Sequence, residues 1–207
     1  MTSPVNPGKV EWTGDNPGIY LKDKNDPQGP WISLALFFNI VISPYGAGRG
    51  IVILDNPNAA KGYPEARNMC LTDNKEMMEY LLNDYAKNFP AFQDVPAVDA
   101  MSYHMIDETE SYTDGKTIHR ERMKSGDLEV ELKWHGLQEP FAADVPPTMT
   151  ATKKHQMYSI FRGADNGEIL VNGEALDGVV IERDFLDRRL NSAFFAYAET
   201  WVLPQEK

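Results

Sequence analysis

Cysteine is nearly absent: Cys70 is the only one in 207 residues. One cysteine excludes an intramolecular disulfide framework and any zinc site built on several thiolates. Basic residues are outnumbered, with 20 Lys and Arg against 31 Asp and Glu, a formal charge of −11. A nucleic-acid partner is read through a clustered Lys/Arg face that displaces counterions. No such cluster occurs here, and the same electrostatics disfavour an anionic membrane surface. Long apolar runs are missing as well. The longest, Trp31 to Ile42, falls short of the roughly 18 to 20 residues that span a bilayer, so no membrane partner is expected. The opening MTSPVNPGKVEW lacks the charged-then-apolar pattern of an export signal, which makes a cytoplasmic location the expectation.

Catalytic signatures are also scarce. His104, His119, His135 and His155 show neither HExxH nor HxH spacing, so no metal and no cofactor is expected. No serine sits in GxSxG, which removes the hydrolase nucleophile elbow. Gly46-Ala-Gly-Arg-Gly50 is followed by IVILD, whereas a phosphate-binding loop needs a helix N-terminus directly after its glycines. A hairpin turn is the better reading. Cys70, in NMCL, has no activating neighbour and reads as a small buried hydrophobe.

What is present is an ordered-protein composition, 42% hydrophobic and 25% charged. Residues 1–30 carry Pro4, Pro7, Gly8, Gly14, Pro17, Gly18, Pro27, Gly29 and Pro30, a punctuation that predicts an irregular lead-in. WISLALFFNIVIS and IVILD, joined by a glycine-rich turn, predict a buried hairpin. One amphipathic helix is expected near residues 73–89: Asp73 and Glu76 fit a capping box, Met77, Leu81, Leu82, Tyr85 and Phe89 recur at helical spacing, and Pro90 stops the run. Beyond it, Asp114-Gly115, Ser125-Gly126, Asn166-Gly167, Asn172-Gly173 and Asp177-Gly178 mark turns in a meander of antiparallel hairpins. Strands without helical crossovers close as a barrel or stack as a sandwich. The expectation is therefore a mostly β fold, an antiparallel barrel or sandwich with one helix, forming one domain over 31–207. A split near 90–100, at FPAFQDVPAVDA, is the alternative.

The segment TIHRERMKSGDLEVELKW carries the most chemistry. A two-residue loop at Ser125-Gly126 pairs Lys124 with Asp127, Arg122 with Glu129 and Arg120 with Glu131, all opposite charges on one solvated face. The other face then holds Met123, Glu121, His119, Leu128, Val130, Leu132 and Trp134. A carboxylate in apolar surroundings beside an imidazole is a candidate acid–base pair, so His119 and Glu121 are the candidate catalytic residues. The alternative is a structural His–Glu pair. In SAFFAYAETWVL, period two places Tyr197, Glu199 and Trp201 on one face, and with Trp134 they are the candidate ligand-binding residues. Pairing of Glu199 with Arg162 is the structural alternative.

Antiparallel strands, an aromatic interior and one helix make a plan similar to calycin-like, lipocalin-like small-molecule barrels, a likeness of general plan that carries no site. The leading expectation is a cytoplasmic barrel that binds an apolar or aromatic small molecule and performs cofactor-free acid–base chemistry, as a lyase, isomerase or hydratase. The alternatives are a non-catalytic carrier with the same pocket and a structural protein that forms homo-oligomers through a free sheet edge.

Overall fold

Trp31–Ile42 forms a 12-residue strand, β3, and its unbroken apolar run has a direct cause: both faces are buried. Leu34, Leu36, Phe38 and Ile40 point to one side and Ala35 and Phe37 to the other, and the two sets join different hydrophobic clusters. A strand covered on one face only would have alternated. In this computed structural model, which describes residues 7–205, β3 is preceded by β1 (Gly8–Asp15) and β2 (Gly18–Lys22) and followed by β4 (Gly48–Leu54) and β5 (Asn68–Thr72). Helix α1 (Lys75–Asp84), a 3-10 turn over Ala86–Asn88 and a single-turn helix α2 (Ala97–Ala100) come next. Then follow β6 (Ser102–Met105), β7 (Glu108–Thr113), β8 (Ile118–Ser125), β9 (Leu128–Leu137), β10 (Phe141–Val145), β11 (Gln156–Val171) and β12 (Glu174–Ala175). The chain ends with β13 (Glu182–Phe185), β14 (Arg188–Asn191) and β15 (Ala193–Pro204).

The irregular lead-in expected over residues 1–30 is overturned for most of its described part; residues 1–6 lie outside the described residues. β1 and β2 share one lane between β3 and β15. Pro17, which has no N–H to donate, and Asn16 interrupt that lane, and it resumes in the same register against β3, from Asp15 opposite Asn39 to Gly18 opposite Leu36.

The sheet is a sandwich-like, β-rich assembly, and the expected barrel is not formed. Its main strand order runs as an open path β6-β5-β4-β3-β1-β15-β11-β9-β8-β7. The two end strands share no ladder. The chain passes from one end to the other in two residues, Ile106 N–H donating to Thr72 O and Asp107 N–H to Lys124 O. The sheet is also mixed, since β5 and β6 run parallel.

One face of β2–β5 (Ile19, Phe37, Ile51, Met69, Leu71) packs on Met123, Val130, Leu132 and Trp134 of β8 and β9, leaving the interior filled by side chains. On the opposite face α1 lays Met77, Met78, Leu81 and Leu82 against β3 and β4. Its N-cap is Asn74, one residue beyond the expected Asp73: the Asn74 side chain accepts from Met77 N–H and donates to the carbonyls of Tyr45 and Ala47. Gly50 makes the close approach possible, because a Cβ there would lie 2.6 Å from the Met78 sulfur.

The β8–β9 hairpin has the expected two-residue loop, one residue later than expected. Ser125 faces Leu128, so the loop is Gly126-Asp127, with Gly126 at φ +57° in the position a type II′ turn gives to glycine. Partners shift by two, to Lys124 with Glu129, Arg122 with Glu131 and His119 with Trp134. A shift of two preserves faces, so the charged face and the apolar face are composed as expected. Arg120 meets Lys133 directly, and Glu131 and Glu110 offset that like-charge contact. Asn166-Gly167 is not a turn. It lies within β11, where a Cβ on Gly167 would come 2.9 Å from Ala193 and Ile19.

Candidate functional site

The six candidate residues separate onto two faces. His119, Glu121, Trp134 and Tyr197 belong to the interior; Glu199 and Trp201 belong to a groove on the other side of β15. A β-bulge causes the separation. Between Tyr197 and Thr200, β15 carries one residue more than either neighbour: Tyr158 and Ile160 of β11 face Thr200 and Tyr197, while Gly14 and Gly18 face Glu199 and Phe194. Ala198 absorbs the extra residue at φ +46°, and its N–H donates to the Asp15 carboxylate. A bulge re-aims the side chains that follow it. Tyr197 therefore stacks on Phe195 at 5.1 Å, while Glu199 and Trp201 turn to the face that carries Phe194.

In the interior, Glu121 is 4% exposed and both its oxygens are engaged. Oε1 lies 2.6 Å from His119 Nε2, and Oε2 accepts from the Ser111 hydroxyl at 2.5 Å. His119 packs edge-on against Phe195 and Trp134, and the Trp134 indole N–H donates to Gly18 O. These residues line neither the groove nor the smaller cavity beside it. The acid–base enzyme expected in a barrel interior is thereby overturned. There is no barrel, the space around the pair is filled, and each polar atom of the carboxylate is held by a structural neighbour. Burial also raises the Cys70 thiol well above its usual pKa. Among the described residues no three His, Cys, Asp or Glu side chains converge as metal ligands.

The groove is a cavity of about 580 Å³, within the ~300 to 1,000 Å³ range of small-molecule sites. Its floor is the β11 and β15 surface (Phe161, Phe194, Glu199, Trp201), and its walls come from the segment after the 3-10 turn (Phe89 to Ala91), the loop Met149 to Ala151 and strand β13. Behind Trp201 stand Trp12, Tyr85 and Phe89 at 5.2 to 6.2 Å between ring centroids. That aromatic block fixes the rotamer of Trp201, whose indole N–H donates to Glu199 Oε1 at 2.6 Å.

Glu199 is buried, and burial raises its pKa to about 7 against the lowering effect of hydrogen bonds from Trp201 and Asn16. Asn16 lies between β1 and β2, its own N–H donating to Ala196 O of β15. The Asn16 Oδ1 itself finds no partner among the described residues. The suggested Glu199–Arg162 pair does not form. Arg162 instead donates to the backbone carbonyls of Gln138, Leu137, Gly115 and Lys116.

Sequence reasoning missed Arg183. Its guanidinium lies 5.3 to 5.5 Å from the ring centroids of Tyr20, Phe185 and Phe194. Its Nε is buried without a hydrogen-bond partner among the described residues, and burial lowers its pKa. The available signal was period two within Glu182–Phe185. Glu182 and Asp184 face outward and pair with Arg189, which sends Arg183 inward. Only the long-range contact with Tyr20 and Phe194 shows what it meets.

No family model matches the chain, and no curated protein and no solved structure matches it either. Among the described residues no helix is long and apolar enough to cross a membrane.

Proposed function

We propose that this protein is a non-catalytic binding protein for an apolar or aromatic small molecule held in the groove over β11 and β15. The observation that carries this reading is a cavity of about 580 Å³ walled by Phe161, Phe194 and Trp201 and lined by a few polar groups, among them Asn16, Arg183 and Glu199. Apolar walls with sparse, convergent polar groups are the usual composition of a ligand site. Glu199 and Trp201 serve the ligand; His119, Glu121, Trp134 and Tyr197 serve the core behind it.

Titration with N-phenyl-1-naphthylamine, followed by its fluorescence and by quenching of tryptophan emission, tests the reading. Saturable one-to-one binding is expected, lost in Ala151→Trp, which fills the groove, and retained in His119→Ala. Binding that survives Ala151→Trp, or that disappears in a folded His119→Ala, would overturn it.

A further inference from the structure

The chain has eight arginines, and seven of them hold an acceptor. Arg49 donates to Asn39, Arg67 to Asp55, Arg162 to backbone carbonyls, and Arg120, Arg122, Arg188 and Arg189 pair with carboxylates. Arg183 alone has neither an ion pair nor a hydrogen bond among the described residues. This holds although acidic residues outnumber basic ones and although its sequence neighbours Glu182 and Asp184 are both carboxylates. Those two are taken by Arg189 on the outer face of the β13–β14 hairpin.

The inner face presents the Arg183 guanidinium to the groove between three aromatic rings. Ring faces offset part of the cost of burying a cation, but they leave the in-plane N–H donors unused. A planar fork of donors in low-dielectric surroundings is matched by a carboxylate or sulfonate, which it binds by two parallel hydrogen bonds.

The other charged groups lining the groove are Lys153, Asp184 and Glu199. Lys153 donates to Thr148 O, and Asp184 is engaged with Arg189. Glu199 is a poor neighbour for a second negative charge. The groove thus offers one strong anion contact, aromatic surface, and a carboxyl group that accepts or donates a hydrogen bond.

Resting on the groove reading above, we infer that the ligand is a small organic monoanion with an aromatic body, its carboxylate or sulfonate seated on Arg183 and its ring system against Phe161, Phe194 and Trp201. The net charge of −11 opposes an anion at long range, but that field is screened over about 8 to 10 Å at ordinary salt. Selectivity is then set by the local contact.

The test compares 1-anilinonaphthalene-8-sulfonate with N-phenyl-1-naphthylamine, which share one aryl body and differ by the sulfonate. In the wild-type protein the sulfonate is expected to bind at least about tenfold tighter, the size of one charge-assisted hydrogen-bonded contact. Arg183→Met should erase that preference, the sulfonate losing at least about tenfold more affinity than N-phenyl-1-naphthylamine. Should Arg183→Met not fold, 2-naphthoate against 2-naphthamide, competed on the wild-type protein, decides the same question: the acid is expected to win by a similar factor. Equal affinity for charged and neutral members of either pair, or an equal loss of both probes in Arg183→Met, overturns the anion assignment while the groove reading stands. If neither member of the first pair binds wild type at a single site removed by Ala151→Trp, the groove reading itself falls.

Discussion

Glu121 and Glu199 are two glutamates on the same sheet, both 4% exposed and each beside an aromatic ring, and they have opposite surroundings. Glu121 is held by His119 and Ser111, from its own and the adjacent strand, and both its oxygens are taken. Glu199 has an indole N–H and an amide, and on its remaining side a cavity. Burial alone does not mark a functional carboxylate. The distinguishing feature is bonding capacity left open toward space that a ligand can fill.

If the interior pair is structural, its removal costs most. Glu121→Leu should destabilise the protein by roughly 3 to 5 kcal/mol, because it leaves the half-buried His119 without its buried partner and takes the acceptor from the Ser111 hydroxyl. Urea unfolding at neutral pH measures this. A neutral or stabilising result would instead show Glu121 to be held at a cost to stability, as functional carboxylates are, and would dissolve the contrast with Glu199.

Glu199 should behave in the opposite sense. Its folded pKa of about 7 lies above the ordinary 4.5, so between those values the folded state binds more protons than the unfolded chain. Stability from this group is complete below about pH 4.5 and declines as pH rises to about 7. Glu199→Gln removes the ionisation and keeps an acceptor for Trp201. At pH 8 it should be more stable than wild type by on the order of 3 kcal/mol, with the difference shrinking to below about 1 kcal/mol at pH 5 and vanishing under the ordinary carboxylate range. His155, Arg183, Lys153 and Asp184 lie near or in the groove, and comparing variant with wild type at each pH cancels their contributions. A difference that is flat from pH 5 to pH 8 would mean that Glu199 is ionised in the folded protein throughout.

The two regions also differ in how far they could be read from sequence. The interior was legible because its signals are local. In β8 and β9, alternation alone assigned His119, Glu121 and Trp134 to one face, and the loop, displaced by one residue, moved partners by two without exchanging faces. Helix α1 was legible for the same reason in Met77, Leu81 and Leu82, but it ends at Asp84, so Tyr85 and Phe89, expected in a helix reaching residue 89, flank the 3-10 turn that follows. The groove depends on events that no short window contains. Ala198 in the left-handed region breaks the period on which Tyr197, Glu199 and Trp201 were grouped, and alanine gives no sign of a bulge. β1 and β2 pair with β15 across 174 to 196 positions of sequence. Their prolines and glycines read as irregular chain, although Pro17 marks only a short step between β1 and β2, at which Phe37 N–H still donates to Pro17 O. Closure as a barrel failed as an expectation for a related reason: turn signals announce hairpins, but they do not say which strands stand at the ends of the sheet.

The smallest expected effect separates structural support from ligand contact within the interior set. Ser111 gives its hydroxyl proton to Glu121 Oε2 across the β7–β8 ladder, and it lines neither cavity. Ser111→Ala keeps the size of the side chain close to the original and removes one hydrogen bond to a charged group, a loss of about 1.5 to 3 kcal/mol at most and nearer 1 if water replaces the hydroxyl at the sheet edge. Thermal or urea unfolding should register that loss, while the affinity for N-phenyl-1-naphthylamine stays at the wild-type value, because β7 and the groove have no residue in common. A folded Ser111→Ala protein that lost affinity would couple the interior network to the groove through Phe195 and β15, and the two carboxylates would then belong to one system.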